Sequence, residues 1–194
     1  VYKRQVHVSK LIIDPNDNNV FYATTQGATE YTDKVGDGAG VFKSNDRGNS
    51  WTQINNGLDS LETNILTVDP NDSETLYLGT DDDGVYKSTD GGESWKKLTV
   101  SSLSKSFGVG DIIVDPQNSN NIYIGTVDYF RLSESRGVLG DFGVYKSTDG
   151  GATWEEFNVG LNHLGVFSLE LSEENRILYA GTRAGGVYWI SLDN

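Results

Sequence analysis

The chain has 194 residues, 36% hydrophobic and 11% aromatic, enough to build a real core in one or two domains. Its 15 basic against 28 acidic residues give a net charge of -13, which repels phosphate backbones and anionic lipid headgroups; nucleic-acid partners and acidic membrane surfaces are argued against. The absence of Cys removes disulfides, thiolate metal sites and cysteine nucleophiles, and no run approaches the length of a membrane-spanning helix, so no membrane insertion is expected.

In chain order, the opening VYKRQ (1–5) is basic in an acidic protein and matches nothing later, so it reads as a non-native scar. The lack of any Met or signal-peptide pattern marks a processed product or a piece of something longer. From there one unit repeats. LIID (11–14) followed by Pro15 predicts a strand A and a turn, and VFYATT (20–25) predicts strand B. After a variable loop, GVFKS from Gly40 predicts strand C; SNDRGNSW (44–51) is a tight turn, and WTQI from Trp51 is strand D. The second unit reads LTVD-Pro70, TLYLGT, GVYKS, STDGGESW and WKKL; the third reads IIVD-Pro116, NIYIGT, GVYKS, STDGGATW and WEEF. A fourth reads LELS, ILYAGT and GVYWI, without the Asp-Pro and without a strand D. The Ser of the tight turn recurs at 44, 88 and 147, so the third unit carries an insertion.

A period of roughly 40–50 residues with four short strands is that of a β-propeller blade, whose sheet faces are buried only by stacking on neighbours. The expected fold is all-β: one segment over 1–194 with four-stranded antiparallel blades at about 9–56, 64–100, 110–158 and 166–194, the last lacking strand D. Counting back 18 residues from Asp14, the spacing of Trp51 from Asp69, falls before residue 1. About four blades of a larger ring are therefore expected; a closed four-bladed ring would need residues 2–8 as strand D, and they resemble neither WKKL nor WEEF.

The recurring turn resembles the Asp-box, or BNR, motif Ser-x-Asp-x-Gly-x-Thr/Ser-Trp. Three copies fit: Ser44, Asp46, Gly48, Trp51; Ser88, Asp90, Gly92, Trp95; and Ser147, Asp149, Gly151, Trp154. This resemblance covers almost the whole chain. It implies a family of β-propellers that includes sialidases, xyloglucan-cleaving glucanases, sortilin-type receptors and assembly factors, in which the box is structural. The residue chemistry agrees: an Asp that accepts from turn N–H groups, a Gly free to take unusual backbone angles and a packing Trp are needed in every blade, whereas a catalytic residue is not.

Strand alternation puts the Asp-Pro turns and the boxes at one end of each blade and the B-to-C loops at the other. The long loops 26–39 and 127–142 are expected on that opposite face, where Tyr31, Tyr129, Phe130 and Arg131 would join Arg183 as ligand-binding candidates. Between them lies TDDDGVY. Xyloglucan-cleaving members resemble it in a Thr-Asp-x-Gly-Gly-x-Tyr segment, which implies a weak catalytic candidate in Asp81, with Asp82 and Asp83 beside it. Asp83 stands where that motif has Gly, and the residues by themselves favour a solvated acidic turn.

Other readings fit less well. Asp14, Asn16 and Asn18 begin like a calcium loop that then fails at Asn19 and Thr25. A sialidase would need a cluster of three Arg, and Phe130-Arg131-Leu132-Ser133 lacks the Pro of that family's stretch. His7 and His163 stand in linkers without metal-ligand spacing, and no metal or cofactor is expected. The leading expectation is a segment of an extracellular or periplasmic protein that binds or cleaves a polysaccharide or oligosaccharide, with its catalytic set incomplete here. The alternative is a non-catalytic scaffold presenting the same face to a protein partner.

Overall fold

A computed structural model describes residues 7–27, 38–103, 107–128 and 141–193. The described residues form fifteen strands in four antiparallel sheets. The first contains β1 (His7–Ile13), β2 (Phe21–Gln26), β3 (Val41–Ser44) and β4 (Thr52–Gln53), in that order. The second contains β5 (Thr63–Asp69), β6 (Asp72–Thr80), β7 (Val85–Ser88) and β8 (Lys96–Lys97). The third contains β9 (Gly108–Val114), β10 (Ile122–Val127), β11 (Val144–Ser147) and β12 (Glu155–Glu156). The fourth contains β13 (Val166–Ser172), β14 (Ile177–Thr182) and β15 (Gly186–Ser191).

The first strand of each sheet starts upstream of the LIID-type segment, so His7 lies in β1 rather than in a linker. The reason lies across the sheet boundary, where Ser9 Oγ donates to the Thr63 carbonyl at 2.7 Å and holds the upstream residues in line. A register shift recurs at the corresponding place in all four A–B pairs, next to Ser9, Asn64, Gly110 and Phe167. Such bulges increase the local twist, which suits strands that pack side by side at a ring centre.

The core lies between the sheets. Tyr22 and Val41 of the first pack on Leu66, Leu76, Leu78 and Tyr86 of the second. Ile65, Tyr77 and Val85 of the second meet Ile112, Ile122, Ile124 and Tyr145 of the third. Tyr123 and Val144 of the third meet Leu169, Leu171 and Leu178 of the fourth. This is blade-on-blade packing, each sheet covering the next.

Polar joints repeat along the same boundaries. The Asp of each Asp-Pro turn accepts from the following blade: Asp14 from Ser73 Oγ at 2.8 Å, Asp69 from Ser119 Oγ at 2.7 Å, and Asp115 from both terminal nitrogens of Arg176 at 2.9 and 2.6 Å. Lys43 lies over the Tyr22 ring and donates to the Gly91 carbonyl of the next box at 2.9 Å, and Lys87 does the same with Tyr77 and Gly150 at 3.0 Å.

The two ends of the blades are separate surfaces. At one, each box turn bonds to its own A-to-B turn or to the first residues of strand B: Arg47 N to Asn19 O, Gly91 N to Glu74 O at the start of β6, and Gly150 N to Asn120 O, at 2.9–3.1 Å. At the other, each B-to-C loop bonds to a D-to-A linker: Gly40 N to Leu61 O, Gly84 N to Phe107 O and Gly143 N to Leu164 O, at 2.8–3.1 Å.

Candidate functional site

The box geometry leaves little room for chemistry. Ser44 Oγ accepts from Gly48 N at 2.8 Å and donates to Asp46 Oδ1 at 2.7 Å; Asp46 then accepts from Ser50 N at 2.8 Å and Ser50 Oγ at 2.6 Å. Ser88–Asp90–Ser94 and Ser147–Asp149–Thr153 repeat the arrangement. Hydrogen bonds from the Ser or Thr hydroxyl and from turn N–H groups hold all three carboxyls down to about 2. An ionised carboxylate saturated by its own turn is a staple, not an acid or base.

The opposite face differs. Asp81 follows the last Thr of β6 and is 8% exposed, not the solvated turn that its sequence predicts. Its backbone N–H donates to the Glu62 carbonyl at 3.0 Å, pulling the residue beneath the adjacent linker. Gln26 Nε2 donates to both Asp81 oxygens, at 2.9 and 3.1 Å, and reaches Asn64 Oδ1 at 3.2 Å. Burial, only partly offset by the Gln26 amide and reinforced by Glu62 and Asp82, pushes the Asp81 carboxyl up to about 7. Glu62, itself 7% exposed, accepts from Gly27 N at 2.7 Å and Gly38 N at 2.9 Å, tying both ends of the first B-to-C loop to this corner.

The neighbouring acids have other partners. Asp82 accepts from Ser60 Oγ at 3.2 Å, and Asp83 accepts from the Tyr86 hydroxyl and pairs with Lys97. On the same face Arg183 donates to the Asp128 carbonyl, and its guanidinium lies 5.2 Å from the Phe167 ring. Tyr31, Tyr129, Phe130 and Arg131 lie outside the described residues. Among the described residues no group of three or more His, Cys, Asp or Glu could hold a metal.

Gln26, Glu62 and Asn64 were not singled out from the sequence. One signal points to Gln26. It follows the terminal Thr of strand B in its unit, as Asp81, Val127 and Arg183 do in theirs. That register puts Gln26 and Asp81 on adjacent blades at one height.

The repeat architecture is matched by the sequence profile of the Sortilin-Vps10 family, described as sortilin, neurotensin receptor 3, over residues 39–188. The chain belongs to this family. This Sortilin-Vps10 chain is an Asp-box propeller. Its similarity extends to the xyloglucanase Xgh74A of Acetivibrio thermocellus, 36% identical over 96 residues, or 45% of this chain and 11% of that protein. The chain thus spans about a ninth of that relative's length. Among solved structures, an ancestral GH74 enzyme matches with a TM-score of 0.72 and 25% identity over 94% of this chain and 22% of the other. The GH74 enzyme of Niastella koreensis matches with a TM-score of 0.68 and 26% identity, over 95% and 28%.

Proposed function

We propose that this chain is a segment of an exported glycoside hydrolase propeller and that it contributes a polysaccharide-binding surface on the face opposite the Asp boxes. The observation that carries the reading is Asp81: a buried carboxyl on that face, held by the Gln26 amide and raised to about 7. Near neutral pH it is divided between its acid and base forms, which suits a group that protonates a glycosidic oxygen. The likeness to a xyloglucanase over nearly half the chain favours a β-linked glucan as the ligand class. Hydrolysis needs a second carboxyl across the scissile bond, so this chain alone is expected to bind rather than to cleave.

A glycan array probed with the whole chain, then with Asp81→Ala, tests this. Binding to glucan oligosaccharides that is lost in the variant supports the site. No binding to any glycan overturns it and leaves the family's receptor-type reading, in which the same face meets a protein partner, as the better account.

A further inference from the structure

Gln26 reaches Asp81 as part of a longer chain of amides. Asn64, at the register shift of β5, donates from Nδ2 to the Val109 carbonyl of β9 at 2.8 Å. A carbonyl only accepts, so the Asn64 nitrogen is committed to the third sheet and its Oδ1 faces Gln26. Gln26 Nε2, at the end of β2 in the first sheet, has two hydrogens; one goes to Asn64 Oδ1 at 3.2 Å and the other to the Asp81 oxygens at 2.9 and 3.1 Å. Three blades thus fix the direction of one amide, and Asp81 meets its nitrogen rather than its carbonyl.

This chain is unlike the joints that repeat. One boundary on, Gly110 stands in the place of Asn64 and Val127 in that of Asp81; at the boundary after it, Phe167 and Arg183 stand there. A structural staple is needed at every boundary, whereas these amides occur at one. The charged groups that face Asp81 are Glu62, from the adjacent D-to-A linker, and Asp82, from its own turn. Both are acids, and each favours the protonated form of Asp81.

We infer that Gln26 and Asn64 are positioning residues for Asp81, a relay across three blades that offers its carboxyl a donor alone and so turns the acid proton towards the B-to-C face. In the acid form one Asp81 oxygen accepts from Gln26 and the other carries the proton, which the Gln26 nitrogen cannot take. An ether or hydroxyl oxygen of a sugar arriving from that face receives it as a hydrogen bond. The inference rests on the proposed reading of Asp81 as the group that meets a glycan, and the relay itself is testable without a ligand.

The test is a carbon-13 NMR titration of the Asp81 carboxyl in the whole chain, free of ligand, where the wild-type midpoint is expected at about 7. Gln26→Leu removes a hydrogen bond to the ionised form, and Asn64→Ala frees the Gln26 amide to turn its carbonyl towards the acid proton, so each should raise the midpoint by roughly half a pH unit or more. Asn64→Ala should add nothing in the Gln26→Leu background, because Asn64 acts through Gln26. Mere loosening of the corner has the opposite sign, since water reaching Asp81 lowers its midpoint towards the ordinary carboxylate value. Asn64→Val, which also lacks the acceptor, gives the same readout should Asn64→Ala fail to fold. A midpoint that falls or stays in either single variant, or additive shifts in the double variant, overturns the relay. Calorimetric titration of a xyloglucan oligosaccharide below and above the midpoint separates the two claims. Binding should weaken as pH rises through the midpoint, and that limb should move up in Gln26→Leu; midpoints shifted as expected with no glycan bound uphold the relay and count against the glycan reading alone.

Discussion

Arg47 has a φ of 62°, in the left-handed region, where the second and third boxes have Gly91 at 65° and Gly150 at 71°. A Cβ at Gly91 would come within 3.0 Å of Lys43 Nζ and 3.1 Å of Glu74 Oε2. Gly91→Ala is therefore expected to destabilise by about 1–2 kcal/mol, whereas Arg47→Gly should raise the urea midpoint slightly by releasing the strain, although it loses the contact to Asn19. Urea unfolding of both variants checks this.

The carboxyls set two opposite pH dependences. The box carboxyls are depressed to about 2, so their stabilisation is complete above the ordinary value of about 3.9 and is lost as pH falls through 2. Asp81 is raised to about 7, so its folded form holds a proton that the unfolded form has released, and stability falls as pH rises from about 4 to 7. Asp81→Asn should flatten the melting temperature across that window and leave the acid limb below pH 4 in place. Asp111, also raised by burial, keeps some slope. An unchanged profile in the variant would mean that Asp81 is not buried. Its burial was not legible in TDDDGVY, because it depends on Gln26 and Glu62 from elements that are distant in sequence.

At the scale of the strands, the unit was legible because each segment recurs with its own punctuation, and Gly, Pro, Asn and Asp bound runs rich in Val, Ile and Tyr. The joints between units were not. Asp14 meets Ser73 and Asp69 meets Ser119 across 59 and 50 residues, with no local pattern to announce the pairing. Arg176 stands in the copy without an Asp-Pro turn, at a φ of 50°, and its guanidinium clamps Asp115. Burial pushes the Asp115 carboxyl up, and the Arg176 guanidinium with the Gln117 and Asn121 hydrogen bonds outweighs it, leaving the group below the usual carboxylate range. Arg176→Ala leaves that carboxylate, fully buried, without its counter-ion. The expected loss is about 3–5 kcal/mol, against less than about 1 kcal/mol for a surface pair such as Lys97–Asp83. Chemical denaturation of Arg176→Ala and Lys97→Ala separates the two, and equal effects would contradict the joint.

Across the whole molecule, the two ends of the blades differ in how their carboxyls are held. One end is stapled by boxes whose carboxylates are saturated within their own turns, and the other gathers Gln26, Glu62 and Asp81 on adjacent blades. The division was legible from strand alternation, and the residues of each end follow from it. The identity of the groups that shift there did not follow, because burial between blades depends on packing that no single repeat encodes. The direct test is calorimetric titration of a xyloglucan oligosaccharide into the wild-type chain, Asp81→Asn and Asp149→Asn, each checked for folding. Saturable binding that Asp81→Asn weakens at least roughly tenfold and Asp149→Asn leaves unchanged is the predicted result; equal loss in both variants, or no binding by the wild-type chain, would contradict it.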